Sequence, residues 1–216
     1  MGRILHPRGF DLDQARHALA RADPALGRWM RRIGPLEFDW HRSFDTVDAL
    51  ARSILHQQLS GKAAATIERR LRAALPGGPR ITASGLSSIE PEAMRACGVS
   101  GNKCLSLLDL ADRALRGGIP SSRALAWMDD EEAIDSLTEV RGIGRWTVEM
   151  LLMFRLGRPD VLPVDDLGVR KGAQRLLGAN EMPRPNGLQT HGQRWAPWRS
   201  LAAFYLWRIA DQREAA

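Results

Sequence analysis

Apolar residues in this chain return every three or four positions and almost never every second one. Ala63, Ile67, Leu71 and Leu75 stand at four-residue spacing with Arg69, Arg70 and Arg72 off that face, and Leu105, Leu108, Ala111 and Leu115 form a second such stripe. A helix gathers positions so spaced onto one side, whereas a strand would scatter them over both. The pattern predicts an essentially all-α fold of roughly ten helices, given usual helix lengths and short connections. Two helices fill Asp45 to Leu75, with Leu50, Ile54 and Leu55 inward in the first. Gln57-Gln58-Leu59-Ser60-Gly61 turns between them, and Ser60 suits the cap of the second. Pro76 to Pro79 is a loop, Ser87 to Cys97 a short helix and Gly98 to Asn102 a turn. Lys103 to Leu115, Asp129 to Val140 and Arg145 to Leu156 are helical, and Gly157 to Pro163 is a loop. Asp165 begins the next helix, Thr190 to Gln193 is polar linker, and Pro197 to Gln212 is a final buried helix. Glu37 to Trp40 is the one brief stretch with strand-like alternation.

With 216 residues, 44% hydrophobic and 26% charged, the chain can build a real core as one compact unit or two small lobes. No apolar run is long enough to cross a bilayer, and Met1 to Phe10 lacks the apolar stretch of a signal peptide. A cytoplasmic protein without membrane association is expected, nucleoid-associated if bacterial. Two cysteines, Cys97 and Cys104, cannot by themselves complete a four-cysteine iron–sulfur or zinc site. They are expected to be buried thiols, with no iron–sulfur cluster. The net charge of +6 comes mostly from arginine, since Lys62, Lys103 and Lys171 are the only lysines. Such a balance suits phosphate backbones, but it gains weight only with a motif.

That motif is Leu137-Thr138-Glu139-Val140-Arg141-Gly142-Ile143-Gly144-Arg145-Trp146-Thr147-Val148, read as helix, tight turn, helix. Gly142 and Gly144 allow a sharp turn and the approach of another backbone. The N–H groups that open the next helix, around Gly144 to Thr147, suit a phosphate. Arg145 and the Thr147 hydroxyl can add contacts that hold register on DNA without reading sequence. An ordinary helix–turn–helix corner is the plainer alternative.

The stretch resembles the helix-hairpin-helix (HhH-GPD) DNA glycosylase superfamily, which includes endonuclease III, the 8-oxoguanine glycosylases and the bacterial inducible 3-methyladenine glycosylase. The resemblance covers roughly Asp45 to Arg208. It implies a single unit of two helical lobes, one at about 45–160 and the other at about 1–44 plus 161–216, with an active-site cleft between them and here without the N-terminal β domain of the alkylpurine relative. It also implies a structural sodium or potassium ion on the carbonyls of Thr138, Val140 and Ile143. Arg141 stands where the family usually has proline.

Downstream lies Leu162-Pro163-Val164-Asp165-Asp166-Leu167-Gly168. The family places its catalytic aspartate after such a loop, at the start of a helix, and anchoring on Leu162-Pro163 selects Asp165, with Asp166 as runner-up. A carboxylate stabilises the positive charge that builds on deoxyribose as the N-glycosidic bond breaks, and it can orient or deprotonate the attacking water. A helix N-cap is the structural alternative. Bifunctional members carry a nucleophilic lysine two positions after the second hairpin glycine; Trp146 stands there, so hydrolysis without strand cleavage is expected.

Gly-Ile-Gly-Arg-Trp-Thr and the segment Trp195-Ala196-Pro197-Trp198-Arg199-Ser200 through Trp207 resemble the alkylpurine (3-methyladenine DNA glycosylase II) branch. By that resemblance Trp146 and Trp207 line a pocket for an everted cationic base, and Met150 replaces a pocket tyrosine. Trp195 and Trp198 are read as core. Gln58 matches the side chain that fills the gap left in the DNA stack. Lys62, Arg145 and Lys103 are candidate phosphate contacts, and His56 is structural or supports a contacting side chain from behind. The implied function is that of a monofunctional glycosylase removing 3-methyladenine- and 7-methylguanine-type bases from double-stranded DNA in base excision repair. It would act as a monomer with no catalytic cofactor. The alternatives are a non-enzymatic DNA-binding module of the same hairpin and a glycosylase for oxidised or deaminated bases.

Overall fold

The computed structural model describes residues 5–212, and every regular element among them is helical. In chain order these are α1 (Leu12–Ala22), α2 (Pro24–Ile33), α3 (Thr46–His56), α4 (Gly61–Ala74), α5 (Ala83–Ser88), α6 (Pro91–Ala96), α7 (Gly101–Leu115), α8 (Ser122–Leu125), α9 (Asp130–Thr138), α10 (Arg145–Leu151), α11 (Leu167–Leu177), α12 (Pro185–Gly192) and α13 (Arg199–Asp211). A π-helical turn, Leu152–Leu156, continues α10, and a short 3-10 turn, Gln193–Trp195, follows α12. No helix among the described residues is long and apolar enough to cross a membrane.

Several boundaries differ from the sequence reading. The span 87–97 is not one helix. Thr82 caps α5, and after Ile89 the chain restarts at Pro91, whose fixed φ suits a first turn. The stretch 190–193 is the end of α12 and the start of a 3-10 turn rather than linker. Residues 37–40 form no strand: the chain there is irregular, and Trp40 is buried with its Nε1 donating to the Met153 carbonyl (2.9 Å). The helix after the Gly157 loop starts at Leu167, and its cap is Asp166, not Asp165. Helices α1 and α2 had no sequence assignment. Asp11 and Asp23 cap them by accepting N–H groups of the first turn, and Pro24 opens α2.

The chain divides into two compact units. The first comprises Ser43–Val148 and carries α3 to α9 with the opening of α10. Its core joins Leu50 and Ile54 of α3, Leu71 of α4, Leu107 and Leu110 of α7 and Leu137 of α9, all fully buried. Both cysteines are buried free thiols there, and burial raises the Cys104 thiol. The second comprises His6–Arg42 with the chain from Glu149 onward. The division therefore falls inside α10, upstream of the position 160 read from sequence.

In the second unit α11 lies directly on α13. A Cβ on Gly172 would stand 2.0 Å from the Leu206 carbonyl oxygen, so only glycine admits this approach. Trp195 is fully buried, and its Nε1 donates to Asp23 Oδ2 (3.0 Å), while Trp198 is only half-buried and faces Phe10. Burial would raise the Asp23 carboxyl, but hydrogen bonds from Leu26 N–H, Trp195 and His191 hold it below its usual range.

Candidate active site

The hairpin occupies the first unit, between α9 and α10. Ile143 N–H closes the turn on the Val140 carbonyl (3.0 Å). Two side chains bond its backbone directly, and a third braces the loop beside it. Asp109 of α7 accepts the Arg141 N–H (2.8 Å), and Gln57 Nε2 donates to the Gly142 carbonyl (2.8 Å). Lys103 Nζ donates to the carbonyls of Leu55 (2.7 Å) and Gln57 (2.8 Å), holding the loop that presents Gln57. Lys103 is thus occupied inside the protein and is no longer a phosphate candidate. Arg141 supplies the N–H that Asp109 accepts, which a proline could not do.

The two glycines serve different ends. Gly142 has φ +78°, and a Cβ there would lie 2.7 Å from Ser106 Oγ, so it packs the hairpin against α7. A Cβ on Gly144 would meet nothing within 4 Å, and this is the glycine that leaves the outer face open. Thr147 is buried, and its N–H donates to the Gly144 carbonyl (2.9 Å). The Thr147 hydroxyl contact expected with DNA is therefore corrected: in a helix starting at Arg145, position 147 turns inward. Arg145 forks onto Glu131 (Nη1 to Oε2, 2.8 Å), and this pairing holds Glu131 below the usual carboxylate range. Both side chains are exposed, so the pair is weakly held and the guanidinium can exchange partners. Trp146 is exposed at the same helix start.

Gln58 and Leu59 form an exposed tip between α3 and α4. Gln58 has φ +55°, the one described non-glycine residue in the left-handed region, and Leu59 is 42% exposed. Lys62 is exposed on the first turn of α4. Behind the tip, His56 bonds Glu68 (2.8 Å), as its structural reading expected.

The second unit holds the carboxylates. Asp166 N–H donates to the Pro163 carbonyl (3.0 Å), which closes the turn containing Asp165. Asp166 Oδ1 accepts the Val169 N–H (2.8 Å) and the Trp207 indole Nε1–H (2.8 Å). Asp166 is therefore a helix cap and an anchor for Trp207. Asp165 is exposed, and its carboxylate has no hydrogen-bond or ion-pair partner among the described residues. The Trp207 indole lies on the first turn of α11, where a Cβ on Gly168 would stand 2.7 Å from it.

Trp207 also walls a cavity of about 270 Å³, with Phe38, Phe154 and Phe204 as further aromatic walls and Glu37, Arg208 and Asp211 around them. Phe154 and Trp207 stack at 5.7 Å between ring centroids, and Phe154 meets Phe204 edge-on at 5.0 Å. Phe154 is carried by the π-helical turn, an irregularity that often re-aims a side chain at a working surface. Neither Trp146 nor Met150, which is half-buried, lines this cavity. The sequence reading missed the three phenylalanines. Only the alternation around Phe38 gave any signal, and it pointed to a strand.

An all-helical chain with a Gly-Ile-Gly hairpin and a carboxylate at the entry to a later helix defines a class. The model of the HhH-GPD superfamily base excision DNA repair proteins matches residues 51–197, and the chain belongs to that family. Among its relatives, DNA-3-methyladenine glycosylase 1 of Schizosaccharomyces pombe is 40% identical over 163 residues, covering 76% of this chain and 72% of the relative. The structure of the S. pombe 3-methyladenine DNA glycosylase in complex with abasic DNA is similar with a TM-score of 0.83 at 34% identity, over 94% of this chain and 99% of that one. A DNA-3-methyladenine glycosidase from Bacillus halodurans gives 0.84 at 32% identity, over 94% and 92%.

Proposed function

We propose that this protein is a monofunctional DNA glycosylase that hydrolyses the N-glycosidic bond of alkylated purines in duplex DNA, with Asp165 as its catalytic carboxylate. The observation that carries the assignment is the contrast within the Asp-Asp pair. Asp166 Oδ1 is engaged by both the Val169 N–H and Trp207, while Asp165, one residue away on a hydrogen-bonded turn, keeps an exposed and unengaged carboxylate. The activities for which the relatives are named and the abasic DNA bound in one of them support the same reading.

The chemistry follows from the residues. The hairpin, with Gly144 outward, receives a phosphate of the strand, and Arg145 and Lys62 add charge. Gln58 or Leu59 at the exposed tip fills the gap left by the everted nucleotide. The base enters the aromatic cavity, where the faces of Trp207 and the phenylalanines favour a cation. Glu37 and Asp211 add negative potential to the rim, against one Arg208. As the bond breaks, positive charge develops on the sugar and Asp165 stabilises it. Asp165 also accepts the proton of the water that adds to C1′. The purine, already cationic, leaves as a neutral base without a dedicated acid.

With Trp146 at the lysine position the enzyme forms no Schiff base, so no strand cleavage follows base release. The carbonyls of Thr138, Val140 and Ile143 fit a monovalent cation. They are hard oxygen donors, Thr138 at the negative end of α9, and the Val140 oxygen accepts one N–H and keeps its second lone pair. Such an ion would brace the turn and take no part in the reaction. Neither a metal nor any other cofactor enters the chemistry proposed, and the protein acts as a monomer.

The test is a release assay on defined duplexes carrying 3-methyladenine-type, 7-methylguanine, 8-oxoguanine and uracil lesions. Release of the alkylated purines, lost in Asp165→Asn and unaccompanied by a borohydride-trapped adduct, supports the proposal. Faster release of uracil or 8-oxoguanine would overturn the substrate class, and full activity in Asp165→Asn would overturn the mechanism.

A further inference from the structure

The hairpin formed by α1 and α2 carries a basic pocket for which the reaction above has no use. Arg16, His17 and Arg31 line a cavity of about 250 Å³ whose floor is Ala20, Gly27 and Met30. The floor is firm, because a Cβ on Gly27 would stand only 3.1 Å from the Ala20 Cα. Arg16 Nε is shut off from solvent and has no acceptor among the described residues. Its one ion pair among the described residues, to the largely exposed Asp13, is long at 3.4 Å and therefore weak. Arg31 and His17 are exposed and have no partner among the described residues.

The local acids do not cancel this charge. Asp11 accepts the Asp13 and Gln14 N–H groups (3.0 and 2.9 Å), and Asp23 accepts those of Ala25 and Leu26 (3.1 and 3.0 Å). Both are engaged at helix N-termini, which leaves Asp13 as the one carboxylate of these helices available to offset the arginines. A recess edged by two guanidinium groups and an imidazole over an apolar floor matches a tetrahedral oxyanion, since each phosphate oxygen accepts several hydrogen bonds.

We infer that the α1–α2 pocket is a phosphate-binding site, formed by Arg16, His17 and Arg31 and separate from the hairpin and from Asp165. The DNA backbone is one source of that phosphate, and this arm rests on the glycosylase reading. Free inorganic phosphate is the other.

Two measurements on the full chain distinguish them. The first is binding to a duplex carrying a stable abasic-site analogue across a series of KCl concentrations. If the pocket holds a DNA phosphate, Arg31→Gln lowers the slope of log K against log salt by about 0.9, and Arg31→Lys restores it. The second is the melting temperature in phosphate against chloride at equal ionic strength. If the ligand is free phosphate, the wild type is stabilised, Arg31→Gln is not, and the salt slope is unchanged. An unchanged slope together with equal melting temperatures overturns the site. Arg31 is exposed on the last turn of α2, so its variants retain the fold, and melting curves verify this. A wild type that binds the duplex yet releases no alkylated base would sink the glycosylase reading and leave this result standing.

Discussion

The hairpin of the first unit and the acid turn of the second are both short corners leading into a helix, but they distribute their polar groups in opposite ways. At the hairpin, Asp109, Gln57 and Lys103 all serve to hold backbone, and what faces outward at Gly144 is backbone with no side chain. At the acid turn, backbone and Asp166 do the holding, and what faces outward is a side chain, the Asp165 carboxylate. A grip on a repeating phosphate needs a fixed main chain that any sequence can approach. Electrostatic catalysis needs an unengaged charge on a fixed support. The same local motif can serve either end, depending on which groups the surroundings leave unoccupied.

The contrast can be broken most directly at Asp165. Asp165→Asn should cut single-turnover base release by roughly 10²–10⁴-fold while leaving the melting temperature and abasic-duplex affinity unchanged. A comparable loss of affinity would mean that the residue grips rather than catalyses. Next in size, Gly172→Ala should lower stability by about 1–3 kcal/mol or more in denaturant titration. The α11–α13 contact it opens carries both Asp166 and Trp207. Asp166→Ala should cost about 2 kcal/mol, from a lost cap and an unsatisfied indole N–H. Its release rate should fall because Trp207 loosens, and Asp166→Asn, which keeps an acceptor, should recover most of both.

At the hairpin, Asp109→Ala should cost about 1 kcal/mol or less of stability but weaken duplex binding several-fold with kcat retained, the reverse of the Asp165 signature. The smallest effect expected is on acid stability in the first unit. Burial would raise the Glu68 carboxyl, but hydrogen bonds from His56 and Arg72, with the charge of Arg52, hold it below the usual glutamate range. A depressed folded-state pKa contributes stability above the unfolded value, and this is lost as pH falls through the folded one. Glu68→Gln should therefore flatten the acid limb of the melting-temperature profile relative to wild type.

Much of this was legible in the residues. Apolar spacing gave α4 and α7, and paired glycines marked the hairpin, because those signals are local and need no partner. Aspartates 11 and 23 were legible in principle as caps, each followed by a helix and, at 24, by proline, yet they went unread. The buried state of Thr147 and the engagement of Lys103 were not legible, because each depends on where one helix phase or one distant carbonyl falls. The cavity walls were hidden for the same reason: Phe38, Phe154 and Phe204 are far apart in sequence and meet only once α13 is in place.

The order of residues by itself determined that this chain is helical, that it turns sharply at 142–144, and that two carboxylates stand side by side at 165 and 166. Those follow from backbone stereochemistry and short-range pattern. Only the tertiary structure decided which of the two acids is tied and which is left unengaged. That choice rests on a local cap bond from the Val169 N–H and on an indole 41 residues away, and no local preference could have specified the second.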